Sequence, residues 1–236
     1  HYRLFIIDIV DFFLTISYNQ LNVYCSLEEI NMSKNVCVIL AAGLSSRMGS
    51  YKPLLKIQEK PSIVYLIQHL RVAGIDECIV VTGHNSDLLR DACRNFKNII
   101  FVHNPDYATS GMYTSAKIGF RAVPKDCKNL LFTLADIPLI SESIIRKVLR
   151  EDHPLVFPSY HYHRGHPVKI SPDLLPALLS YTGEHGLRGA FASLDIEPFF
   201  INTEDKSILM DMDTPEDYAK IIAFSQNTQN LRKRLS

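Results

Sequence analysis

The chain lacks a net charge and an apolar run of membrane length. Its 236 residues include 25 Lys plus Arg and 25 Asp plus Glu, so the formal charge is zero. A balanced charge removes the usual electrostatic argument for binding nucleic acid or a membrane surface. The apolar stretch from Leu4 to Leu14 contains two aspartates and is far shorter than a membrane span. We therefore expect neither nucleic acid nor a membrane as a partner.

Closely spaced cysteines are also missing. The five cysteines form an odd, scattered set without a CxxC pair, which argues against a disulfide framework and against a zinc knuckle. Most of them lie in apolar runs, as buried free thiols do in a reducing compartment. This favours a cytoplasmic protein. Apolar residues at 47% and charged residues at 21% are ordinary for a globular chain and exclude a disordered one.

The first 31 residues differ from the rest. The sequence begins with His1, whereas Met32 is followed almost at once by an apolar strand pattern. We interpret residues 1–31 as an N-terminal extension and residues 32–236 as one domain, in keeping with the chain length. The alternative is an ordinary N-terminal element that packs on the domain.

From residue 36 onward, short apolar runs alternate with helical patterns. Strands are predicted at 36–41, 78–82, 99–103 and 130–135, and helices at 62–73, 85–95, 113–122 and 141–150. Such alternation, with strands that are apolar throughout, predicts an α/β fold in three αβα layers around a mainly parallel sheet.

After residue 150 the pattern is looser. Strand pieces are predicted at 155–158, 160–162 and 167–170, with a turn at Arg164-Gly165. A short helix at 172–179, a loop at 182–189, a strand at 207–210 and a helix at 215–224 complete the prediction. Arg232, Lys233 and Arg234 are expected to form a solvated basic end.

A glycine-containing loop, LAAGLSSRMGSYKPLL (residues 40–55), leaves the first predicted strand. Gly43 and Gly49 permit unusual backbone torsions and close approach to a ligand, and exposed amides in such a loop can cradle phosphate. Arg47 offers a planar fork and Lys52 a point charge. The loop is neither a P-loop nor a GxGxxG motif. Taken alone, it is equally consistent with a polar connection that carries incidental charges.

Three aspartates are candidate metal ligands. Asp136 ends an apolar strand at the sheet edge where open α/β folds bind ligands, and a carboxylate there is costly unless it is paired or binds a metal. A helix-capping role before Pro138 is the alternative. Asp211 and Asp213 precede the last predicted helix, so one can complete a metal site while the other caps the helix, with Asp211 slightly favoured as the ligand. Asp217 is expected on the helix surface.

Two other groups of residues leave alternatives open. The segment 160–166 contains three histidines, yet a zinc site is disfavoured because no cysteine or carboxylate lies nearby in the sequence. The glycine-rich stretch 182–189 carries His185 and Arg188. Arg188 is either a phosphate ligand or a surface charge.

The loop at residues 40–55 resembles the N-terminal motif of nucleotidyltransferases with the glycosyltransferase-A-like fold, and in particular that of the molybdenum cofactor cytidylyltransferase and MobA-like family. Further matching elements follow in the family's order: Asn104-Pro105, Gly111-Met112 with Ser115, Ala135-Asp136-Ile137-Pro138, Gly165-His166-Pro167-Val168, and the stretches 183–189 and 211–217. The resemblance covers about residues 35 to 224. Ala135 stands where the family usually has glycine, which leaves the carboxylate of Asp136 in place.

The resemblance implies a Rossmann-like fold and a Mg²⁺-dependent transfer of a nucleoside monophosphate to a phosphate-bearing acceptor, with release of pyrophosphate. The family's acceptor is molybdopterin that carries molybdenum, and a molybdoenzyme apoprotein is implied as a further partner. A phosphate acceptor is already anionic near neutral pH, so no general base is required. Positioning and charge neutralisation then carry the catalysis.

The resemblance also implies roles for individual residues. It assigns catalysis to Arg47, Lys52 and Asp136, and the metal to Asp136 with Asp211 or Asp213. Nucleotide contacts fall to Leu40, Ala41, Ala42, Gly43, Arg47, Lys52, Asn104, Gly111 and Ser115. Acceptor contacts fall to Gly165, His166 and Arg188.

The identity of the nucleotide rests on one methyl group. Relatives that build a guanine dinucleotide usually carry glycine where Ala42 stands here, so CTP is expected over GTP. Two alternatives remain open because one fold hosts many functions. The acceptor could be a sugar, polyol or choline phosphate, and the protein could be a nucleotide-binding regulator without catalysis.

Overall fold

A computed structural model describes residues 33–43 and 48–235, without the side chains of residues 231–235. The predicted extension over residues 1–31 and the predicted site residue Arg47 lie outside these ranges. None of the described helices has both the length and the apolar character that a membrane span requires.

One sheet of eight strands forms the centre of the fold. Its strands are β1 (Lys34–Ala41), β4 (Glu77–Thr82), β5 (Ile99–His103), β6 (Cys127–Leu134), β7 (Leu155–Tyr160), β8 (His163–Arg164), β9 (Val168–Ile170) and β10 (Phe199–Asn202). The order is β10-β7-β9-β6-β1-β4-β5, with β8 paired to β7. β2 (Lys56–Ile57) and β3 (Lys60–Pro61) form a separate antiparallel pair.

The sheet is mainly parallel, as predicted. β1 runs parallel to both β4 and β6, β4 to β5, and β7 to β10. β9 runs antiparallel between β6 and β7, and β8 is antiparallel to β7. The carboxyl ends of β6, β1, β4 and β5 therefore meet at one edge of the sheet.

Seven described α-helices accompany the strands. They are α1 (Ser62–Ala73), α2 (Ser86–Ala92), α3 (Met112–Arg121), α4 (Glu142–Arg150), α5 (Leu175–Ser180), α6 (Gly186–Ala192) and α7 (Pro215–Leu235), with 3₁₀ turns at Lys52–Leu54, Pro172–Leu174 and Lys206–Leu209. α1 ends where Gly74 takes a φ of 105°, a conformation that favours glycine. α4 begins where the Ser141 hydroxyl accepts the Ile144 amide.

Helices cover both faces of the sheet, which confirms the three-layer prediction. On β1, Cys37 and Ile39 belong to the core cluster on one face, where residues of α1 and α4 pack. Val36 and Val38 alternate with them and join the cluster on the other face, with Phe120 of α3. β1 is thus buried on both sides, as its uninterrupted apolar sequence predicts.

Two predictions for the second half were wrong. Residues 207–210 form a 3₁₀ turn over Lys206–Leu209, because the Asp205 carboxylate accepts the Ser207 amide and starts the turn. The hairpin turn lies at His161 and Tyr162, both with positive φ, and not at Arg164-Gly165. Short apolar runs do not distinguish a strand from a helical turn, which accounts for the first error.

Two further differences between the prediction and the structure lie between residues 182 and 202. Residues 199–202 form an edge strand, β10, that the sequence did not predict. The loop predicted at 182–189 is shorter, because α6 begins at Gly186 and carries Arg188.

The cysteines agree with the prediction. Cys37, Cys78, Cys93 and Cys127 are buried free thiols. Burial raises the pKa of Cys78 to about 12 and that of Cys93 to about 11, so these thiols stay protonated near neutral pH.

Candidate functional site

The ends of β1 and β6 are tied together at the carboxyl edge of the sheet. The Ala135 amide donates to the Leu40 carbonyl at 2.9 Å, so the pairing of the two strands continues beyond β6. Asp136 follows directly and stands beside the loop that leaves β1. This is the edge at which open α/β sheets bind ligands.

Met212 fixes the chain beside Asp136. Its side chain is fully buried, and its amide donates to the Asp136 carbonyl at 3.0 Å. The flanking residues Asp211 and Asp213 are thereby held at the same edge of the sheet. Three carboxylates from two distant parts of the sequence come together there.

Lys52 lies between two of these carboxylates. The Ser62 hydroxyl donates to the Lys52 carbonyl at 2.9 Å and holds the 3₁₀ turn that carries the lysine. Lys52 Nζ is 2.6 Å from Asp213 Oδ1 and 3.4 Å from Asp136 Oδ2. Its side chain is only 12% exposed, so the ammonium is weakly screened by solvent.

Asp136 retains a carboxylate oxygen that fits a cation. Its Oδ1 is buried and has no hydrogen-bond partner among the described residues. A buried oxygen without a partner is costly unless a ligand satisfies it. Among the described residues, no three carboxylate, histidine or cysteine side chains are placed so that together they could hold one metal ion. Mg²⁺ does not need three such side chains, because it binds through one or two carboxylates together with phosphate oxygens and water.

The other aspartates differ from one another in their environment. The pKa of Asp211 is raised, first by partial burial and then by the charges of Asp213 and Asp136. Thr214 caps α7, because its hydroxyl accepts the Asp217 amide at 3.2 Å and donates to the Asp217 carboxylate at 2.7 Å. The prediction that Asp211 or Asp213 caps this helix was therefore wrong. Lys220 pairs with Asp217 at 2.8 Å. These bonds place Asp217 on the helix surface, as expected.

A first cavity of about 380 Å³ opens in front of these strand ends. It contains seven of the residues predicted for the site: Leu40, Ala42, Gly43, Ser115, Asp136, Asp211 and Asp213. Tyr107, Ser110, Met112 and Leu134 complete its lining. The structure thus brings together candidate residues from both ends of the domain.

Four of the described residues predicted to contact the nucleotide lie outside this lining: Ala41, Lys52, Asn104 and Gly111. Asn104 is fully buried, and its amide donates to the hydroxyls of Ser110 at 3.0 Å and Ser115 at 2.9 Å. Asn104 therefore positions two residues that line the cavity but does not line the cavity itself. Ala41 packs in the core cluster on the face of the sheet opposite to Leu40 and Ala42, and its carbonyl accepts the Tyr51 hydroxyl at 3.2 Å. Gly111 sits at the start of α3.

A second cavity, of about 720 Å³, adjoins the first. Met112 and Leu134 line both cavities. The remainder of its lining combines aromatic rings with basic side chains: Phe132, Phe157, Tyr162, His163, Arg164, Gly165, His166, Val168, Leu187, Arg188, Phe191 and Ala192. The three predicted acceptor residues, Gly165, His166 and Arg188, are all in this set.

Close packing positions the Gly165-His166 segment. A Cβ on Gly165 would lie 2.7 Å from the side chain of Ile208, so only glycine fits without a shift. The Gly165 and His166 amides donate to the carbonyls of Pro158 and Ile208 at 2.8 and 3.1 Å. Burial lowers the pKa of His166, opposed by a hydrogen bond with the Phe132 carbonyl and by the charge of Asp136. The imidazole is therefore neutral near neutral pH.

Arg164 was not singled out from the sequence. Its guanidinium lies 5.2 Å from the ring centre of Phe157 and 5.1 Å from that of Phe200. Phe200 belongs to the unpredicted strand β10, so no local sequence signal placed these rings around the arginine. Tyr107 and Ser110 were missed as well, although they follow the Asn104-Pro105 motif closely.

The structure is that of an α/β protein with a mainly parallel sheet and a charged group, Lys52 with Asp136 and Asp213, at the edge where such sheets bind ligands. The sequence matches the MobA-like NTP transferase domain over residues 37–198. The chain belongs to this family of nucleotidyltransferases.

Individual relatives extend the match. The chain is 32% identical to the molybdenum cofactor cytidylyltransferase of Escherichia coli K12 over 189 residues, which is 79% of this chain and 95% of that one. It is 29% identical to nicotine blue oxidoreductase of Paenarthrobacter nicotinovorans over 78% of this chain and 95% of that one. The fold resembles Rv0371c of Mycobacterium tuberculosis H37Rv with a TM-score of 0.70 at 21% identity, over 81% and 98% of the two chains. Rv0371c has also been solved in complex with manganese.

Proposed function

We propose that this protein transfers CMP from CTP to the phosphate of molybdopterin cofactor, with release of pyrophosphate. The observation that carries the proposal is the junction of the two cavities. Asp136 lines the first cavity, its charge acts on His166 in the second, and Met112 and Leu134 belong to both. Two substrates bound in adjoining cavities would meet beside this carboxylate, as a transfer between them requires.

The first cavity takes the nucleotide in this proposal. The triphosphate lies beside Lys52 and Asp136, and Arg47 of the predicted phosphate-binding motif supplies a second positive charge. Asp136, together with Asp211 or Asp213, would hold Mg²⁺, in keeping with the unpartnered Oδ1 of Asp136. When bound, the metal ion supplies charge neutralisation for the phosphates. Ala42 lines the cavity and narrows it by one methyl group, which favours a pyrimidine.

The second cavity takes the acceptor. Phe132, Phe157 and Phe191 offer apolar surface for a flat ring system, while Arg164 and Arg188 offer forks for an anionic group. The acceptor phosphate is already anionic, so the protein needs only to orient it. The similarity to the E. coli cytidylyltransferase over nearly its whole length supports molybdopterin as the acceptor. The product then passes to a molybdoenzyme apoprotein in the cytoplasm.

An assay of pyrophosphate release tests the proposal. The purified chain is incubated with Mg²⁺, molybdopterin cofactor and each of the four nucleoside triphosphates at equal concentration, and the product mass is read. We expect a product with CTP that is dependent on the acceptor. Turnover only with another acceptor phosphate would retain the transferase and change the substrate, whereas a preference for GTP would reassign the nucleotide.

Similarity to nicotine blue oxidoreductase favours a second candidate, reduction of an organic compound bound in the second cavity. Reduction needs a hydride donor and gives no role to the group formed by Lys52, Asp136 and Asp213. Consumption of NADH or NADPH with such a compound, without CTP, would support this candidate. Acceptor-dependent release of pyrophosphate would contradict it.

A further inference from the structure

The first cavity spans several strands, and its two ends differ in chemistry. Asp136 follows β6, whereas Tyr107 and Ser110 follow β5, and β1 and β4 lie between those two strands. Neighbouring strands are about 4.8 Å apart, so the two ends lie on opposite sides of the carboxyl ends of β1 and β4. The β6 end has carboxylates near Lys52. The β5 end offers an aromatic ring and hydroxyl groups.

We propose that Tyr107 is the surface against which the nucleobase stacks, and that Gly83 sets the position of its ring. This inference rests on the proposed binding of a nucleoside triphosphate in the first cavity. If the charged end takes the phosphates, the base reaches the opposite end, where a phenol ring lines the cavity. Stacking of a base on an aromatic side chain is a common and sequence-tolerant way to hold nucleotides in other proteins.

Gly83 leaves the space that Tyr107 occupies. A Cβ on Gly83 would lie 2.5 Å from Tyr107 Cβ and 2.6 Å from the Ala42 carbonyl oxygen. Real Cβ atoms do not approach so closely, so alanine here would displace either the tyrosine or the backbone of the loop. Both Ala42 and Tyr107 line the first cavity. One glycine behind the cavity therefore controls the distance between two of its walls.

Other contacts hold the same ring. The Tyr107 ring centre is 6.2 Å from that of His84 and 6.1 Å from that of His103. Behind it, the Asn104 carboxamide accepts the Asp106 amide at 3.0 Å and donates to two serines of the cavity. A ring packed in this way is pre-organised, so little conformational entropy is lost when a base stacks on it.

The absence of tryptophan from the chain provides a direct test. Tyr107→Trp places the sole indole at the base end of the cavity. With Mg²⁺ present, we expect saturable quenching of its fluorescence by CTP and none by inorganic tripolyphosphate. Tyr162→Trp is the control, because Tyr162 is 97% exposed and lines the second cavity only. Its emission should not change with CTP once the inner-filter effect of the nucleotide's absorbance is corrected.

Calorimetric titration provides a second, independent measurement. Tyr107→Ala should weaken CTP binding on the order of tenfold, with tripolyphosphate binding unchanged. Tyr107→Phe keeps the ring and should stay within about twofold of the wild type. Equal CTP affinity of the wild type and Tyr107→Ala would overturn the inference. The inference would also be overturned if CTP bound to the Tyr107→Trp variant in calorimetry and left its indole emission unchanged.

The glycine has its own matched control. Gly83→Ala should weaken CTP binding several-fold. Gly119→Ala also creates a clash, with Val38 and Val81 at 2.6 and 2.8 Å, but it lies outside the cavity lining. It should lower the melting temperature and leave CTP affinity intact. If Gly83→Ala binds CTP as tightly as Gly119→Ala does, the role of Gly83 is wrong.

The wild-type titration separates this inference from the proposed function. A wild-type chain that binds no nucleoside triphosphate would contradict both. A wild-type chain that binds CTP, together with Tyr107 variants that bind it equally well, would contradict only the stacking role. The two failures therefore give different results in the same experiment.

Discussion

The two cavities share a wall but are built in different ways. The first is lined by residues at the ends of buried strands, such as Ala42, whose exposed fraction is 6%. The second combines buried strand residues, such as Phe132, with side chains on a hairpin and a short helix, such as Tyr162, whose exposed fraction is 97%. The sheet fixes part of both cavities, whereas side chains of the hairpin and of α6 complete only the second. If the second cavity takes the acceptor, as we propose, substitutions in the hairpin and in α6 can change acceptor specificity without altering the first cavity.

The largest expected effect tests the junction of the cavities. Asp136→Asn removes the charge that would hold Mg²⁺ and should reduce kcat by roughly 10³-fold or more, while the melting temperature stays close to that of the wild type. Steady-state kinetics and thermal unfolding measure both quantities. Asp126→Asn is the control, because that carboxylate pairs with Lys34 on the surface. Wild-type kcat for Asp136→Asn in saturating Mg²⁺ would contradict the assignment.

Lys52 tests the charged end of the first cavity. Lys52→Met retains the length of the side chain and loses the ammonium, so kcat should fall by about 10²-fold and KM for CTP should rise. The contacts with Asp136 and Asp213 are lost as well, so unfolding must be followed in parallel. The prediction would be wrong if KM for CTP and kcat both stayed at the wild-type level.

Substitutions in the second cavity should weaken binding of the acceptor and leave binding of CTP unchanged. Arg164→Gln and Arg188→Gln should each raise the acceptor KM roughly tenfold, because a hydrogen bond to a charged group is worth about 1.5–3 kcal/mol. CTP affinity, measured by calorimetry, should not change. Arg94→Gln serves as the control, since Arg94 makes an exposed ion pair with Asp91. A loss of CTP affinity in Arg164→Gln or Arg188→Gln would mean that the two cavities are not separate sites.

A smaller effect concerns the choice of base. Ala42→Gly widens the first cavity by one methyl group, so it should lower the preference for CTP over GTP by roughly tenfold or less. Competition between the two nucleotides in a single reaction measures the ratio of kcat/KM values directly. An unchanged ratio would show that Ala42 does not discriminate between the bases.

The smallest expected effect is on stability. Burial lowers the pKa of His166 in the folded protein, so the unfolded chain binds a proton first as the pH falls below about 6.5. His166 therefore makes the free energy of unfolding decrease with falling pH, until the pH reaches the folded-state pKa. Urea unfolding between about pH 5 and pH 8 should show a shallower decrease for His166→Gln than for the wild type. Identical slopes would contradict the prediction.

The accuracy of the sequence predictions also differs between the two regions. The predicted bounds of α1 and β5 agree with the structure, because uninterrupted apolar strands and clear helix ends mark the parallel half. Asp136 could be predicted from its place after an apolar strand, and Lys52 from the motif at residues 40–55. Tyr107 did not, because its position depends on Gly83, which is distant in the sequence. Arg164 was missed since the rings around it come from two strands, one of them unpredicted.

The antiparallel strand β9 has a consequence for how the molecule folds. β9 lies between β7 and β6 in the sheet, although it comes later in the chain than both. By contrast, β6, β1, β4 and β5 are neighbours in an unbroken row. We expect the parallel half to form first and the β7–β10 edge to join after β9 has docked. Backbone amides of β10 should then exchange with solvent sooner than those of β1. During synthesis, Asp211 and Asp213 emerge after every residue that lines the second cavity, so the first cavity would be completed last.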